Sequence, residues 1–190
     1  MNRHKGFTLI ELMVTVAMVA ILASIAIPSY RQYAIRNAES QAQAKMKQLE
    51  IELNRWRATS LTYKGFLPKK IASDGTVSYG YDTGASDDVV NTVIYVPANS
   101  TAGNYKYKIV LVDGSNTANS LVRSRSTTTL TNADLVTGRS WVMYATPNSA
   151  TFNDASKLLL NSNGLQCKAK NSDSAVTKSS TDCGANSEKW

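Results

Sequence analysis

The stretch from Gly6 to Pro28 reads GFTLIELMVTVAMVAILASIAIP and follows the short basic leader MNRHK. The 21 residues from Phe7 to Ile27 contain one ionisable side chain, that of Glu11. A helix needs about 20 apolar residues to cross the hydrocarbon core of a bilayer, so this stretch is long enough to span a membrane. We therefore expect an N-terminal membrane anchor.

Glu11 is the unusual residue of this anchor. An ionised carboxylate at the centre of a membrane costs about 2.5 to 3.5 kcal/mol on insertion scales, and such groups usually mark a functional pairing. Cleavage after Gly6 would place a new α-amine on Phe7, one helical turn from Glu11. We expect that amine, on the same or a neighbouring molecule, to pair with Glu11.

Two simpler interpretations of the segment have to be compared with this one. A secretory signal peptide has an apolar core of about 7 to 15 residues and an Ala-x-Ala-like site, whereas this run is longer and Pro28-Ser29-Tyr30 follows it. A plain signal anchor would have the same topology, with the basic leader kept in the cytoplasm. Only Gly6-Phe7 and Glu11 distinguish the chain from a plain anchor.

The residues KGFTLIE at positions 5–11, the apolar run after them and Pro28 closely resemble the N-terminal signature of type IV pilins and the related pseudopilins. The resemblance implies that a prepilin peptidase cleaves after Gly6 and N-methylates Phe7. It also implies that Glu11 serves subunit assembly, with the helix bundled among other pilins in a filament core. The subunit would wait in the inner membrane, with its domain in the periplasm, before it joins a pilus at the cell surface.

Within that family the chain most resembles the PilE-like minor pilins. The residues that carry this resemblance are Ile27-Pro28-Ser29-Tyr30, Tyr33, Arg36, Tyr144-Ala145-Thr146-Pro147, Leu158-Leu159-Leu160, Asn163-Gly164 and Trp190. The resemblance implies a low-abundance subunit that helps to start or cap a retractile pilus, as in twitching motility. A pseudopilin of a type II secretion system is the alternative within the same structural class.

Beyond the anchor, apolar residues recur at every third or fourth position, which is the spacing of an amphipathic helix. They are Tyr30, Ala34, Ala38, Ala42, Met46, Leu49, Leu53 and Trp56. Residues 29–57 are therefore predicted to continue the helix, with one face against a domain. Pro28 has no amide donor and crowds the Ser24 carbonyl, so we expect a kink or a locally melted turn there, acting as a hinge.

The rest of the chain predicts strands. Residues 58–104 are rich in turn formers and read as a connecting loop region with short strands, Thr92–Val96 being the clearest. Better strands are expected at Tyr105–Val112, Trp141–Ala145 and Lys157–Leu160. A helix followed by strands predicts an α+β fold, with the long N-terminal helix packed on an antiparallel sheet. The expected segments are leader 1–6, membrane and filament-core helix 7–28, amphipathic helix 29–57, connecting region 58–104, and sheet with C-terminal loop 105–190.

The chain contains two cysteines, Cys167 and Cys183. An exported domain folds in an oxidising compartment, where a disulfide is expected. The resemblance agrees, because pilins of Gram-negative type IV pili commonly close their last loop with such a bond. Closing a loop of about 15 residues contributes about 3 kcal/mol on the chain-entropy model. This matters because residues 168–182 offer almost nothing hydrophobic to hold them.

The sequence predicts no catalytic or metal site. The only histidine, His4, lies in the leader, so a mature chain has no Ser-His-Asp, Cys-His or histidine metal arrangement. No P-loop or dinucleotide fingerprint is present, and neither an enzymatic activity nor a cofactor is expected. Asp74, Asp82, Asp87 and Asp88 offer oxygen ligands for Ca²⁺, but their spacing matches no calcium loop.

The second functional hypothesis is a binding module for DNA or a surface. The formal net charge is +7, and +5 without the basic leader. Lys64, Lys69 and Lys70 lie beside Tyr63 and Phe66, and basic residues next to aromatic ones suit single-stranded nucleic acid. A solvated loop is the simpler interpretation of the same residues.

Overall fold

The computed structural model describes residues 7–82, 92–122, 136–174, 176–185 and 187–190. The chain divides into two compact units, Met1–Asn37 and Ala38–Trp190. Within the described residues there is one helix, α1, from Leu9 to Ser60. The strands are β1 Lys69–Ile71, β2 Val77–Tyr79, β3 Val93–Val96, β4 Tyr107–Asp113, β5 Trp141–Pro147, β6 Ser156–Asn161 and β7 Gln166–Lys170.

Helix α1 passes through Pro28 without a break in its helical assignment. Of the two expected alternatives, a kink or a locally melted turn, the melted turn is therefore wrong, and the kink stays a prediction. A proline removes only one backbone hydrogen bond, here the one to the Ser24 carbonyl, and the helix can continue on either side of it. Next to the proline, Ser29 Oγ donates to the Ile25 carbonyl at 3.0 Å. A hinge role for Pro28 stays a prediction.

The helix ends three residues later than expected. Leu61 has a φ of 58°, the left-handed conformation that commonly terminates helices, and its amide donates to the Arg57 carbonyl at 2.8 Å. The periodicity could not place this end, because residues 58–60 are small or polar and extend the helix without contributing to its apolar face.

The apolar face of α1 in the second unit is buried, as predicted. Ala38, Ala42, Met46, Leu49 and Leu53 have no exposed surface. Their spacing of three or four residues brings them onto one side of the helix. This side packs on the sheet and anchors the α+β architecture that the sequence predicts.

Strands β3 to β7 form one antiparallel sheet in chain order, and β1 pairs with β2 in a separate hairpin. In β4 the side chains of Tyr107, Ile109 and Leu111 are fully buried, which confirms the predicted alternation. Strand β7 was not predicted. Its sequence, QCKAK, buries only the small side chains of Cys167 and Ala169 and lacks the β-branched residues that mark a strand.

The second face of the sheet is covered too. A buried cluster joins Val112, Val142, Leu159, Cys167, Ala169 and Val176. Val176 comes from the segment between the two cysteines and has no exposed surface. Of the few hydrophobic residues expected in the segment 168–182, Ala169 and Val176 belong to this cluster and are buried against the outer face of the sheet.

Candidate functional site

The N-terminus of α1 is closed by a reciprocal pair of side chains. The Glu11 amide donates to Thr8 Oγ1 at 3.3 Å, and the Thr8 amide and hydroxyl donate to Glu11 Oε2 at 3.4 and 3.2 Å. Thr8 precedes the first helical residue and Glu11 is the third, which is the arrangement of a capping box. The Thr-x-x-Glu spacing was readable in the sequence, but the sequence analysis missed it.

From Phe7 to Ile27 the side chains lie at the surface of the first unit. Phe7 is 76% exposed and Ile27 is 68% exposed, and the most apolar window of α1 has none of its residues buried. Within the described residues this is the one helix long and apolar enough to cross a membrane. Water solvates such a surface poorly, so the segment requires a membrane or other apolar helices around it.

The few polar side chains of the apolar segment are satisfied within the helix. Thr15 Oγ1 donates to the Leu12 carbonyl at 2.9 Å, and Ser24 Oγ donates to the Ile21 carbonyl at 2.7 Å. A hydroxyl bonded to its own helix needs no water. These residues are therefore compatible with an apolar surrounding.

In the second unit, a partly buried ion pair joins α1 to the sheet. Glu39 is 6% exposed; its carboxylate accepts hydrogen bonds from Lys168 Nζ of β7 and from the Ser156 amide of β6, both at 2.8 Å. Tyr107 of β4 donates its hydroxyl to the Ser156 carbonyl at 2.7 Å. We refer to Glu39, Lys168, Ser156 and Tyr107 as the polar lock.

The electrostatics of the polar lock favour an ionised carboxylate. Burial disfavours the charge on Glu39, but the hydrogen bonds from Lys168 and Ser156 together outweigh it, so the pKa of the Glu39 carboxyl lies below its ordinary value. Burial raises the pKa of the Tyr107 hydroxyl, and the negative charge of Glu39 adds to the effect. The lock thus holds Tyr107 as a neutral hydrogen-bond donor.

The two cysteines are bonded to each other. Cys167 Sγ and Cys183 Sγ are 1.98 Å apart, in a loop whose ends are 16 residues apart in the chain. The disulfide closes the loop that contains Val176. A hydrogen bond also holds this loop against the sheet, from the Tyr144 hydroxyl to the Val176 carbonyl at 3.0 Å.

The structure weakens the proposed nucleic-acid surface. Tyr63 and Phe66 are 3% and 2% exposed, so neither ring can stack on a base. Tyr63 packs edge-on against Trp141, and Phe66 against Trp56. The sequence suggested exposed aromatic rings because the surrounding residues are polar, but these rings fill the core below the end of α1.

One lysine and two aspartates of this region, Lys70, Asp74 and Asp82, are engaged in contacts. Lys70 Nζ lies 2.6 Å from Asp82 Oδ1, and Asp82 Oδ2 accepts the Tyr95 amide at 2.7 Å. Asp74 accepts the Thr76 amide of its own turn. No cluster of three His, Cys, Asp or Glu side chains occurs in the part of the chain that the structure describes. Two of the four aspartates considered for calcium, Asp87 and Asp88, lie outside those residues.

Comparison with known proteins identifies the N-terminal segment. Residues 1–27 match the family model described as the prokaryotic N-terminal methylation motif. The type IV major pilin protein PilA of Myxococcus xanthus is 49% identical over 47 residues, 25% of this chain and 21% of that protein. The type IV major fimbrial protein FimA of Dichelobacter nodosus is 51% identical over 46 residues, 24% and 30% of the two chains.

The N-terminal segment of the chain is therefore similar to that of type IV pilins. Fimbrial protein Q of Moraxella bovis, 36% identical over 85 residues, extends the match to 44% of this chain and 51% of the relative. The chain thus spans between 21% and 51% of the length of these three relatives. No solved structure matches it. All three relatives are named as pilins or fimbrial proteins, and none as an enzyme.

The predicted site residues are placed as follows. Gly6 lies outside the described residues, Phe7 lies two residues before α1, and Glu11 and Pro28 lie within the helix. Cys167 and Cys183 are bonded to each other in the second unit. Glu39 was missed altogether, because a glutamate among the polar residues of an amphipathic helix gives no sign that it is buried.

Proposed function

We propose that this chain is a type IV pilin, a structural subunit of a type IV pilus that α1 holds in the membrane before assembly and that enters the filament through the same helix. The observation that carries the proposal is the exposed apolar segment from Phe7 to Ile27, joined to a separate α+β unit. One surface can serve both stages, because a bilayer and a bundle of apolar helices remove it from water equally well.

Processing by a prepilin peptidase belongs to the same proposal. Cleavage after Gly6 removes the basic leader and yields N-methylated Phe7 as the first residue. The match to the methylation motif over residues 1–27 supports this step. Glu11 would then neutralise the Phe7 amine of an adjacent subunit in the apolar filament core, each charge removing the desolvation cost of the other.

The finer assignment is a minor pilin that helps to start or cap a retractile pilus. It rests on the resemblance to PilE-like minor pilins that residues 27–36 and several C-terminal residues carry, whereas PilA of M. xanthus and FimA of D. nodosus are named as major subunits. The subunit would lie in the inner membrane with its domain in the periplasm, and afterwards at the cell surface. A pseudopilin of a type II secretion system remains the alternative.

Immunoblots of membranes and of sheared pili test the proposal. A pilus subunit appears in both fractions, and a minor subunit appears in the pili at a small molar ratio to the main pilin. Absence from sheared pili, together with loss of secreted enzymes on deletion, would favour the pseudopilin instead. The DNA-binding alternative is tested by a gel shift at low salt, where an absence of binding removes it.

A further inference from the structure

Strand β7 lies at one edge of the five-stranded sheet. Successive residues of a strand direct their backbone amide and carbonyl groups to opposite sides. Every second residue of an edge strand therefore has no backbone partner within its sheet. An open edge of this kind is a template on which a strand of another chain can pair.

Residues 187–190 cover the edge of β7, and we call them the strap. The Lys168 amide donates to the Glu188 carbonyl at 2.7 Å, and the Glu188 amide donates to the Lys168 carbonyl at 2.9 Å. The two residues form one antiparallel bridge. The backbone groups that Lys168 directs away from the sheet are therefore satisfied by the chain itself.

The strap is held at both of its ends. At its start, the Ser187 hydroxyl donates to the carbonyl of Cys183, one of the two disulfide cysteines. At its other end, Trp190 Nε1 donates to the Cys167 carbonyl at 2.9 Å. Lys47 Nζ of α1 lies 5.6 Å from the centre of the Trp190 ring, a distance at which a cation is attracted to the face of the ring. The strap is thus connected to α1, to β7 and to the disulfide.

The opposite edge strand, β3, is closed as well. The Asp82 amide donates to the Val93 carbonyl at 2.8 Å, and the Tyr95 amide donates to Asp82 Oδ2 at 2.7 Å. Val93 and Tyr95 are two residues apart in β3, so their backbone groups face the same side of the strand. The sheet is therefore covered at both edges, by Asp82 at β3 and by the strap at β7.

We propose that the strap is an autoinhibitory contact that keeps a second copy of this chain from pairing with the β7 edge. A copy of the same chain is the partner to exclude, because copies anchored in one membrane have a high effective concentration for each other. The inference goes beyond the proposed function. Assembly through α1 does not use the sheet edge, and an open edge would compete with it by joining subunits in the wrong way.

The test uses the full-length protein in detergent micelles, which cover the apolar part of α1. Glu188→Pro removes the amide that donates to the Lys168 carbonyl. We expect this variant to form dimers and larger species at concentrations at which the wild type is monomeric, as measured by light scattering after gel filtration. Lys189→Pro is the matched control and should behave like the wild type, because its amide points away from β7 and proline is tolerated at such positions of an edge.

Hydrogen exchange of the Lys168 amide, followed by NMR in the same micelles, identifies the surface that associates. In dilute Glu188→Pro this amide should exchange faster than in the wild type, because its partner in the strap is displaced. It should become slow again as the variant is concentrated, because it then pairs with a second copy. A Lys168 amide that stays fast in the associated species would place the association elsewhere and overturn the inference.

A folded Glu188→Pro variant that stays monomeric at every concentration would overturn the inference too. Folding is judged by a cooperative unfolding transition. If the proline variant lacks this transition, Trp190→Ala replaces it, because that substitution loosens the strap and keeps every backbone donor. Unchanged exchange of the Lys168 amide in Trp190→Ala, or faster exchange that does not slow on concentration, would then refute the inference.

Discussion

Glu39 and Lys168 lie 129 positions apart in the chain, yet the carboxylate of one accepts a hydrogen bond from the ammonium of the other at 2.8 Å. The pair joins α1 to β7, the last strand of the sheet. Since β7 also carries Cys167, the ion pair and the disulfide hold the same strand from its two sides.

Replacing Glu39 with Gln should lower the free energy of unfolding of the domain by about 1 to 3 kcal/mol, because Lys168 and the Ser156 amide lose a charged acceptor. Urea denaturation of a fragment starting at Tyr30 measures this. Glu50→Gln is the matched control: its pair with Lys47 at 3.1 Å is partly exposed, and its loss should cost less than about 1 kcal/mol. Equal effects of the two substitutions would contradict a special role for the polar lock.

The same pair predicts a loss of stability in acid. The pKa of Glu39 is lower in the folded state than its ordinary value of 4.5, so the folded state favours the ionised form. The contribution is complete above about pH 4.5 and disappears as the pH falls through the folded-state pKa. Unfolding curves at several pH values should therefore show wild type and Glu39→Gln converging in acid. A difference that stays constant down to the lowest pH would show that ionisation is not its source.

Opening the disulfide should destabilise the domain by about 3 kcal/mol, the chain-entropy value for a loop of this size. Cys167→Ser with Cys183→Ser is compared with the wild type in denaturant. Peptide mapping without reductant should find the two cysteines bridged within one chain. Two free thiols, or a bridge between chains, would rule the predicted pairing out.

Val176→Ala should cost about 1 to 3 kcal/mol of unfolding free energy even with the disulfide intact, because the side chain is fully buried against the outer face of the sheet. Thr177→Ala, at the exposed neighbouring position, is the control and should change little. A neutral Val176→Ala would mean that the disulfide alone secures this segment.

Glu11 is expected to have two separable roles, and two substitutions distinguish them. Glu11→Gln removes the charge but keeps a residue type found in capping boxes, whereas Thr8→Ala removes the cap, worth about 0.5 to 2 kcal/mol, and keeps the charge. If the carboxylate neutralises a Phe7 amine between subunits, Glu11→Gln should stay in the membrane and be nearly absent from sheared pili. Thr8→Ala should enter pili almost normally.

Immunoblots of the two fractions decide between these outcomes. Normal incorporation of Glu11→Gln would refute the role between subunits, and an equal defect in both variants would assign the effect to capping of the helix.

Cleavage by the prepilin peptidase should change the N-terminus of the protein in a way that can be measured. The mature chain should begin with N-methylated Phe7, and mass spectrometry of the N-terminal peptide from pilus or membrane fractions measures it. The protein in a strain without the prepilin peptidase is the control and should retain residues 1–6. An intact leader on the wild-type protein in pili would defeat the prediction.

The properties that the sequence determined by itself are those that depend on neighbours in the chain. The apolar run to Ile27 follows from composition, and the buried stripe from Ala38 to Leu53 follows from a period that matches one helical face. The sequence also determined β4, because alternate residues of a strand point to opposite faces of the sheet. Even the capping box of Thr8 and Glu11 is local, and its spacing could have predicted it.

Tertiary structure alone decided which polar and small residues are buried. Glu39 finds its partners 117 and 129 positions away, and nothing in its own surroundings in the chain distinguishes it from an exposed glutamate. Val176 and the rings of Tyr63 and Phe66 are buried because other segments fold over them. Burial of such residues depends on contacts between distant segments, and local periodicity carries no information about those contacts.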